Sequence, residues 1–233
     1  MVKNLITELQ SLGNPEKAKI LQRFFKTGKG EYGEGDRFIG ITVPEQRKLA
    51  KKYDTLPLKE LQKLLSSKYH EHRLTSLLIL VIKYSKSDDV EKKGIVEFYL
   101  TNTKYINNWD LVDSSADKII GDYLLERDRS ILYELAKSDY LWERRIAILA
   151  TFRFIKNNQF KDTLKISVLL LSDHHDLIHK AVGWMLREIG KRNLSIEEEF
   201  LKKHYKKMPR TMLRYAIEKF NPEKRRTYLN NLV

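Results

Sequence analysis

The chain has 233 residues, of which 42% are hydrophobic and 32% are charged, and it contains no cysteine. This composition is typical of a folded globular or repeat protein, and the lack of cysteine excludes disulfides, thiolate zinc sites and cysteine nucleophiles. The 44 Lys and Arg residues outnumber the 31 Asp and Glu residues, which gives a net charge of +13. That excess favours an acidic partner such as nucleic acid or an anionic membrane surface.

The first predicted element is an amphipathic helix, MVKNLITELQSLG, in which Lys3, Asn4 and Glu8 interrupt the apolar residues. A signal peptide needs an unbroken apolar centre. The longest apolar stretch, at 77–82, is too short to cross a bilayer. We therefore expect a single domain over residues 1–233, a monomer that does not enter a membrane, and a cytoplasmic, nucleoid-associated location.

A glycine-rich segment at about 27–43 follows, and five of the ten glycines fall in TGKGEYGEGDRFIGITVPEQ. It predicts a mobile loop between helices, in which Lys29 and Arg37 are candidate contacts to a nucleic-acid backbone; a plain flexible connector is the alternative. The letters GKGEYG match the glycine pattern of dinucleotide-binding folds. That match carries little weight, because the segment follows the helix KAKILQRFFK rather than a strand.

Between Pro57 and Pro209 there is no proline, and apolar residues recur at helical spacing. The pattern predicts four long helices, HRLTSLLILVIKYSK, WDLVDSSADKIIGDYLL, WERRIAILATFRFIK and IHKAVGWMLREIGKR. When they are aligned, equivalent residues recur at intervals of 37, 35, 35 and 34 positions, at Arg73, Asp110, Arg145, Lys180 and Arg214. This period predicts an all-α fold, a right-handed α-solenoid of HEAT-like helical repeats with a concave basic groove.

The segment NNWDLVDSS places Trp109 and Asp113 four residues apart near a helix start. That spacing puts an aromatic ring and a carboxylate on one helical face. A carboxylate is unexpected on a surface that only binds anions, so the pair indicates chemistry on a polyanion. The alternative is that Asp113 simply interacts favourably with the helix dipole. Against it, Asp113 occupies the repeat position of Ile148 and Gly183 in the next two long helices.

The last of the four helices carries a basic stripe, with Lys180, Trp184, Arg187 and Lys191 at i, i+4, i+7 and i+11. Three cations around one tryptophan favour contacts with phosphates and a nucleobase. The alternative is that Trp184 packs against the next repeat.

In the preceding repeat, Arg145 shares the repeat position of Lys180. Arginine suits phosphate because its planar fork can bind two oxygens. Trp142 stands at the helix entrance, where a structural contact is the expected role.

The six histidines include a pair, His70 and His72, and a group formed by His174, His175 and His179. The letters HHD are similar to the His-Asp pair of all-helical metal phosphohydrolases. However, the two groups lie about a hundred residues apart, and no helical arrangement joins them. We expect satisfied or surface histidines, no metal site and no cofactor.

Three segments, WDLVDSS, LWERRIAIL and IHKAVGWMLRE, lie in order across successive repeats. They resemble the AlkD-type alkylpurine DNA glycosylases, which are HEAT-like-repeat proteins, and the similar architecture covers most of the chain. The resemblance implies that double-stranded DNA containing alkylated purines is the partner and that Trp109, Asp113, Arg145 and Trp184 are lesion-site residues. The glycine-rich insertion at 28–35 departs from the family pattern.

The chemistry of such lesions explains why one carboxylate suffices. A purine methylated at N3 or N7 is cationic and leaves the sugar as a neutral base, so it needs no general acid. We expect Asp113 to stabilise the positive charge that develops on the deoxyribose and to orient water. Trp109 and Trp184 are expected to contact the nucleotide through their ring faces, and Arg145 to hold the adjacent phosphate.

Besides Arg145, six cations are predicted to bind DNA and form the predicted DNA-binding set: Lys29, Arg37, Lys180, Arg187, Lys191 and Arg214. The resemblance also implies excision without enclosing the base, with selection resting on the lability of the cationic nucleotide. Two other classes of function stay open. One is a noncatalytic helical-repeat module that binds damaged DNA, and the other is a protein-protein scaffold.

Overall fold

The structure, a computed structural model, describes residues 1–232. Over that range it consists of helices and connecting turns, with a single isolated parallel bridge between Arg37 and Tyr69. The all-α prediction is confirmed. Across the described residues, no helix has both the length and the apolar character that a membrane crossing requires.

The backbone contacts divide the chain into two compact units, Met1–Ser115 and the part from Ala116 onward. The single-domain arrangement, the handedness of the solenoid and its concave groove stay predictions. The first unit contains α1 (Val2–Ser11), α2 (Pro15–Phe24), α3 (Val43–Lys52), α4 (Leu58–Leu65), α5 (His70–Lys86), α6 (Asp89–Thr101) and a 3₁₀ turn at Thr103–Tyr105, and α7 (Trp109–Ala116) ends at the boundary.

The core of the first unit forms around α5, whose residues 70–80 are all buried. Helices α3 and α4 pack against it. The predicted N-terminal helix is confirmed as α1, which buries Val2, Leu5 and Leu9 on one face. By contrast, α2 has no buried residue, although the Asn14 side chain caps its first turn and Pro15 begins it.

The second unit begins with a π-helical turn, Asp117–Gly121, that continues from α7. Its further elements are α8 (Ser130–Leu135), α9 (Leu141–Ala150), α10 (Phe152–Lys156), α11 (Lys161–Leu169), α12 (Asp176–Gly190), α13 (Leu194–His204), a 3₁₀ turn (Tyr205–Lys207), α14 (Arg210–Ala216), a second 3₁₀ turn (Ile217–Lys219) and α15 (Pro222–Leu229). Helix α12 is central, because α9, α13 and α14 all pack against it.

The four predicted long helices are present, but two of them are not regular. The second changes to a π turn at Asp117–Gly121, and the third is interrupted at Thr151 between α9 and α10. The Thr151 hydroxyl donates to the Ile148 carbonyl at 2.7 Å, a local bond that competes with the helix ladder. A Cβ on Gly121 would lie 2.2 Å from the Ala150 carbonyl oxygen, so the two irregular regions meet at a close backbone crossing.

Because of this crossing, we expect the stability of the protein to depend on the side-chain volume at position 121. Gly121→Ala is expected to lower the free energy of unfolding by about 1–3 kcal/mol, because the added methyl group must push two backbones apart. Gly94→Ala in α6 is the matched control: a Cβ there meets nothing within 4 Å, so stability should rise by about 0.5–1 kcal/mol. Urea unfolding of both variants measures the difference. Equal effects would mean that the crossing does not require glycine.

Candidate functional site

Helix α7 carries both Trp109 and Asp113, so the prediction that they share one helix is confirmed. The Trp109 amide donates to the side-chain oxygen of Asn108 at 2.8 Å, and the Asn108 side-chain amide donates to Asp36 at 3.3 Å. Asn108 is fully buried. The first residue of α7 is therefore tied to a buried acid in the glycine-rich loop.

Trp109 is half-buried and belongs to an aromatic cluster in the first unit. Its ring stacks on Phe25, with centroids 5.1 Å apart and planes at 20°, and meets the edge of Phe24 at 5.9 Å. Phe25 is buried, whereas Phe24 remains 62% exposed. A ligand ring would meet a Trp109 already supported on one face, with an exposed aromatic beside it.

Neither phenylalanine is singled out by the sequence patterns discussed above. The one signal is the FF pair near the end of the segment KAKILQRFFK, 85 and 84 residues before Trp109. Contacts over that separation do not follow from helical periodicity.

Behind Trp109 lies a buried charged network, formed by Asp36, His70, Arg73 and Asp110. The His70 ring stands between two carboxylates, with Nδ1 3.1 Å from Asp36 and Nε2 2.8 Å from Asp110. The Arg73 guanidinium donates to Asp36 at 2.5 Å. Two anions and two cations thus meet in the interior, and they join the loop, α5 and α7.

The electrostatics of this network keep His70 protonated. Burial by itself lowers the pKa of His70, but Asp110 and Asp36 outweigh it and raise that pKa to about 9. Burial likewise tends to raise the pKa of Asp36, but the hydrogen bond with His70 and the charge of Arg73 hold it below its usual range. The His70 ring also stacks on Phe38 at 4.6 Å. A charged, packed imidazolium fixes the start of α7.

Asp113 has an acidic neighbour on either side along the chain. Asp110 pairs with His70, whereas Asp117, in the π turn, is buried and pairs with Lys156 at 2.8 Å. Asp113 is half-buried and stands one helical turn beyond Trp109. It is thus on the helix whose start the network anchors, and part of its surface reaches solvent.

The glycine-rich segment has no α-helix between the end of α2 at Phe24 and the start of α3 at Val43, and its second half is hydrogen-bonded to α5; its mobility stays a prediction. The buried Glu71 carboxylate accepts hydrogen bonds from the amides of Ile39, Gly40 and Ile41 at 2.8–3.3 Å. The side chains of Lys29 and Arg37 are exposed, as contact with a ligand requires. Their binding to a nucleic-acid backbone stays a prediction.

In the second unit, Arg145 is buried and its guanidinium donates to the Leu177 carbonyl at 2.5 Å. That bond joins α9 to the first turn of α12. The phosphate contact expected of Arg145 stays a prediction, and the contact that the structure shows is between helices. Trp142 is 3% exposed, which confirms the expected structural role.

The basic stripe of α12 is largely neutralised by carboxylates within the second unit. Lys180 lies 2.6 Å from Asp176 and Lys191 lies 2.5 Å from Glu188, and Arg187 pairs with Glu218. Periodicity along one helix identifies the cations, but it does not reveal acids that come from a different helix, as Glu218 does.

Trp184, in the centre of this stripe, is half-buried. Its ring lies 5.7 Å from that of Phe152, and its indole group helps to lower the pKa of Glu188. The ring contact is therefore with the preceding repeat, not with the next repeat that the packing alternative named, and part of the residue reaches solvent. Arg214, on α14, is exposed.

His72 and His175 each make a hydrogen bond within the protein. Burial and the charge of Arg73 lower the pKa of His72 to about 4, and its Nδ1 lies 2.9 Å from the Ser67 hydroxyl. His175 caps α12 by accepting from the Leu177 amide. Among residues 1–232, no three His, Asp or Glu side chains are arranged so that they could hold a metal ion.

A family model described as "DNA alkylation repair enzyme" matches residues 5–220. The chain belongs to this DNA alkylation repair family. Membership supports a role in DNA repair and DNA as the partner. No curated protein matches the chain.

Solved structures share the fold. A predicted DNA alkylation repair enzyme from Enterococcus faecalis is similar with a TM-score of 0.69 and 19% identity, over 90% of this chain and 97% of that one. AlkD2 from Streptococcus mutans gives a TM-score of 0.56 and 19% identity, over 89% and 98%. The smu.31 protein of Streptococcus mutans UA159 gives 0.55 and 19%, over 88% and 98%.

The first unit brings together side chains whose chemistry suits contact with a nucleotide. It presents a carboxylate and a supported indole on one helix, anchored by a protonated histidine, beside an exposed phenylalanine. An aromatic surface can contact a base or sugar, and a carboxylate can stabilise a cation. In the second unit, Lys180, Arg187 and Lys191 are already paired with carboxylates of that unit.

Proposed function

We propose that this protein hydrolyses the N-glycosidic bond of cationic alkylated purines, 3-methyladenine and 7-methylguanine, in duplex DNA. The observation that carries the proposal is the placement of Asp113, which is half-buried and one turn beyond Trp109 on a helix whose start is anchored. A repair protein that only bound DNA would gain nothing from a carboxylate there, since it repels phosphates.

The reaction follows from the charge of the substrate. The alkylated purine is already cationic, so the base departs neutral when the bond to the sugar breaks, and no acid is needed to protonate it. Positive charge then develops on the deoxyribose ring. The Asp113 carboxylate stabilises that charge and orients the water that adds to the sugar carbon, as carboxylates do in glycoside hydrolysis. The water loses a proton to solvent as it adds, so the products are a free neutral base, an abasic site and a proton.

The tryptophans are assigned to nucleotide contacts. Trp109, supported from behind by Phe25, offers a ring to the cationic nucleotide, and Trp184 does the same from α12. Arg145, whose guanidinium also donates to the Leu177 carbonyl, is proposed to hold the adjacent phosphate. Selection rests on the lability of the cationic nucleotide rather than on an enclosing pocket.

The six cations of the predicted DNA-binding set fall into two groups, according to whether they form an ion pair with a carboxylate of the protein. Lys180, Arg187 and Lys191 already pair with carboxylates, so a DNA phosphate must compete for each. The exposed Lys29, Arg37 and Arg214 have no such pairing among the described residues. We expect the second group to contribute more to the salt dependence of DNA affinity.

One incubation tests the proposal. Methylated duplex DNA is mixed with the full chain, and the freed bases are separated and identified. Release of 3-methyladenine or 7-methylguanine above the spontaneous rate supports the proposal. Salt-dependent binding with base release only at the spontaneous rate would instead indicate the noncatalytic DNA-binding function. Absence of salt-dependent DNA binding would favour a protein scaffold.

A further inference from the structure

A cavity of about 330 Å³ opens in the second unit beyond the neutralised stripe of α12. It lies between α14 and α15, and its lining residues are Thr211, Arg214, Tyr215, Glu218 and Arg225. Two guanidinium groups therefore face one small space. Periodicity along α12 does not indicate this cavity, because Arg225 belongs to α15.

Within residues 1–232, both arginines of the cavity lack an acceptor from the protein. Among the described residues, neither the Arg214 nor the Arg225 side chain has a hydrogen bond or an ion pair, and the buried Nε of Arg225 is without a partner. Arg225 is half-buried, so water cannot fully solvate it. A desolvated donor that makes no hydrogen bond costs free energy, and an anion in the cavity would supply the missing acceptor.

The other lining groups do not cancel this positive charge. Glu218, the acid of the cavity, is paired with Arg187 and lies 3.3 Å from Lys219, so its charge is already balanced. Thr211 faces the Asp176 carboxylate and helps to hold the pKa of that acid below its usual range. The Tyr215 hydroxyl has no hydrogen-bond partner among residues 1–232, so it is available as a third donor.

We propose that Arg214, Arg225 and Tyr215 form a binding site for a phosphate oxyanion. Planar guanidinium groups bind two phosphate oxygens at once, and a phenol hydroxyl adds a directional bond. The phosphate belongs either to the backbone of a DNA strand or to a free phosphate group. The site goes beyond the proposed reaction and does not depend on it, since a DNA-binding protein without glycosylase activity can use the same contact.

Substitutions that each remove one donor test the site in the full chain. Arg225→Gln and Arg214→Gln remove a cation from the cavity, and Tyr215→Phe removes only the hydroxyl. Arg226→Gln is the matched control, because Arg226 is exposed on the same helix, does not line the cavity and carries the same charge. Urea unfolding of each variant checks that the fold is kept.

The first arm measures affinity for unmodified duplex DNA at several salt concentrations. Arg225→Gln is expected to weaken binding about tenfold and to lower the slope of log affinity against log salt by about 0.9. Tyr215→Phe should weaken it about 2- to 10-fold with no change of slope. Arg226→Gln should change it less than either arginine of the cavity.

The second arm follows the Arg225 Nε–H resonance while inorganic phosphate is added. A saturable shift that is lost in Arg214→Gln supports a phosphate site. If phosphate binds and DNA affinity is unchanged in both arginine variants, the site is confirmed for free phosphate and not for DNA. If Arg226→Gln weakens DNA as much as Arg225→Gln, or if no saturable shift appears and DNA affinity is unchanged, the proposal is overturned. Base release is measured separately, so its absence would not count against the site.

Discussion

Asp113→Asn is expected to lower the single-turnover rate of base release from methylated duplex DNA by about 100-fold or more, while DNA affinity is kept. The substitution preserves the shape of the side chain and removes the negative charge. Preorganised groups that stabilise a charge developing in the transition state typically contribute two to three orders of magnitude to the rate, on the order of 3 kcal/mol. Binding should persist or tighten, because one repulsion with phosphate is removed.

Asp89→Asn is the matched control for this prediction, since it makes the same change of charge at an exposed position in the first turn of α6. Its rate of base release should equal that of the unmodified chain. A rate in Asp113→Asn within a factor of about two of the control would contradict the assigned role, since loss of a charge that stabilises the transition state must slow the chemical step.

Replacing His70 should produce the largest loss of stability. His70→Leu leaves Asp110 without its cation in the interior, and Asp36 with Arg73 alone. Breaking a buried ion pair from one side typically costs about 3–5 kcal/mol. His70→Gln, which can still donate a hydrogen bond, should lose less. Urea unfolding at neutral pH measures both, and His174→Gln, an exposed histidine, should show no change.

The same network predicts a dependence of stability on pH. The pKa of His70 is about 9 in the fold, against 6.5 ordinarily, so the folded state binds this proton more tightly. Its contribution is therefore complete below about pH 6.5 and is lost as the pH rises through about 9. The stability difference between the unmodified chain and His70→Gln should shrink over that interval. A difference that stays constant to pH 10 would contradict a protonated His70.

The helical spacing of apolar residues predicted the helices well, because an amphipathic helix is formed by residues that are close together in the chain. Apolar spacing located α1, α5, α9 and α12. It did not locate the π turn at Asp117–Gly121 or the break at Thr151, which depend on a backbone crossing between Gly121 and Ala150. The spacing of apolar residues within each element does not indicate a contact between the two elements.

The candidate site was predicted unevenly for the same reason. Trp109 and Asp113 share one helix, so their spacing alone indicated a common face. The network behind them was not predicted, because Asp36 and His70 are 34 residues apart. Helical periodicity does not indicate contacts between residues on separate elements. The pairing of Arg187 with Glu218 was missed likewise, since the two residues lie on separate elements.

The most direct test of the proposed function uses a duplex that carries one 7-methylguanine at a defined position. Freed base and abasic sites are counted in the same sample over time, with the protein in excess. Catalysed hydrolysis predicts equal numbers of both, which appear faster than in the protein-free duplex and slowly in Asp113→Asn. Tight binding of the duplex with base release at the protein-free rate would contradict the proposed glycosylase activity.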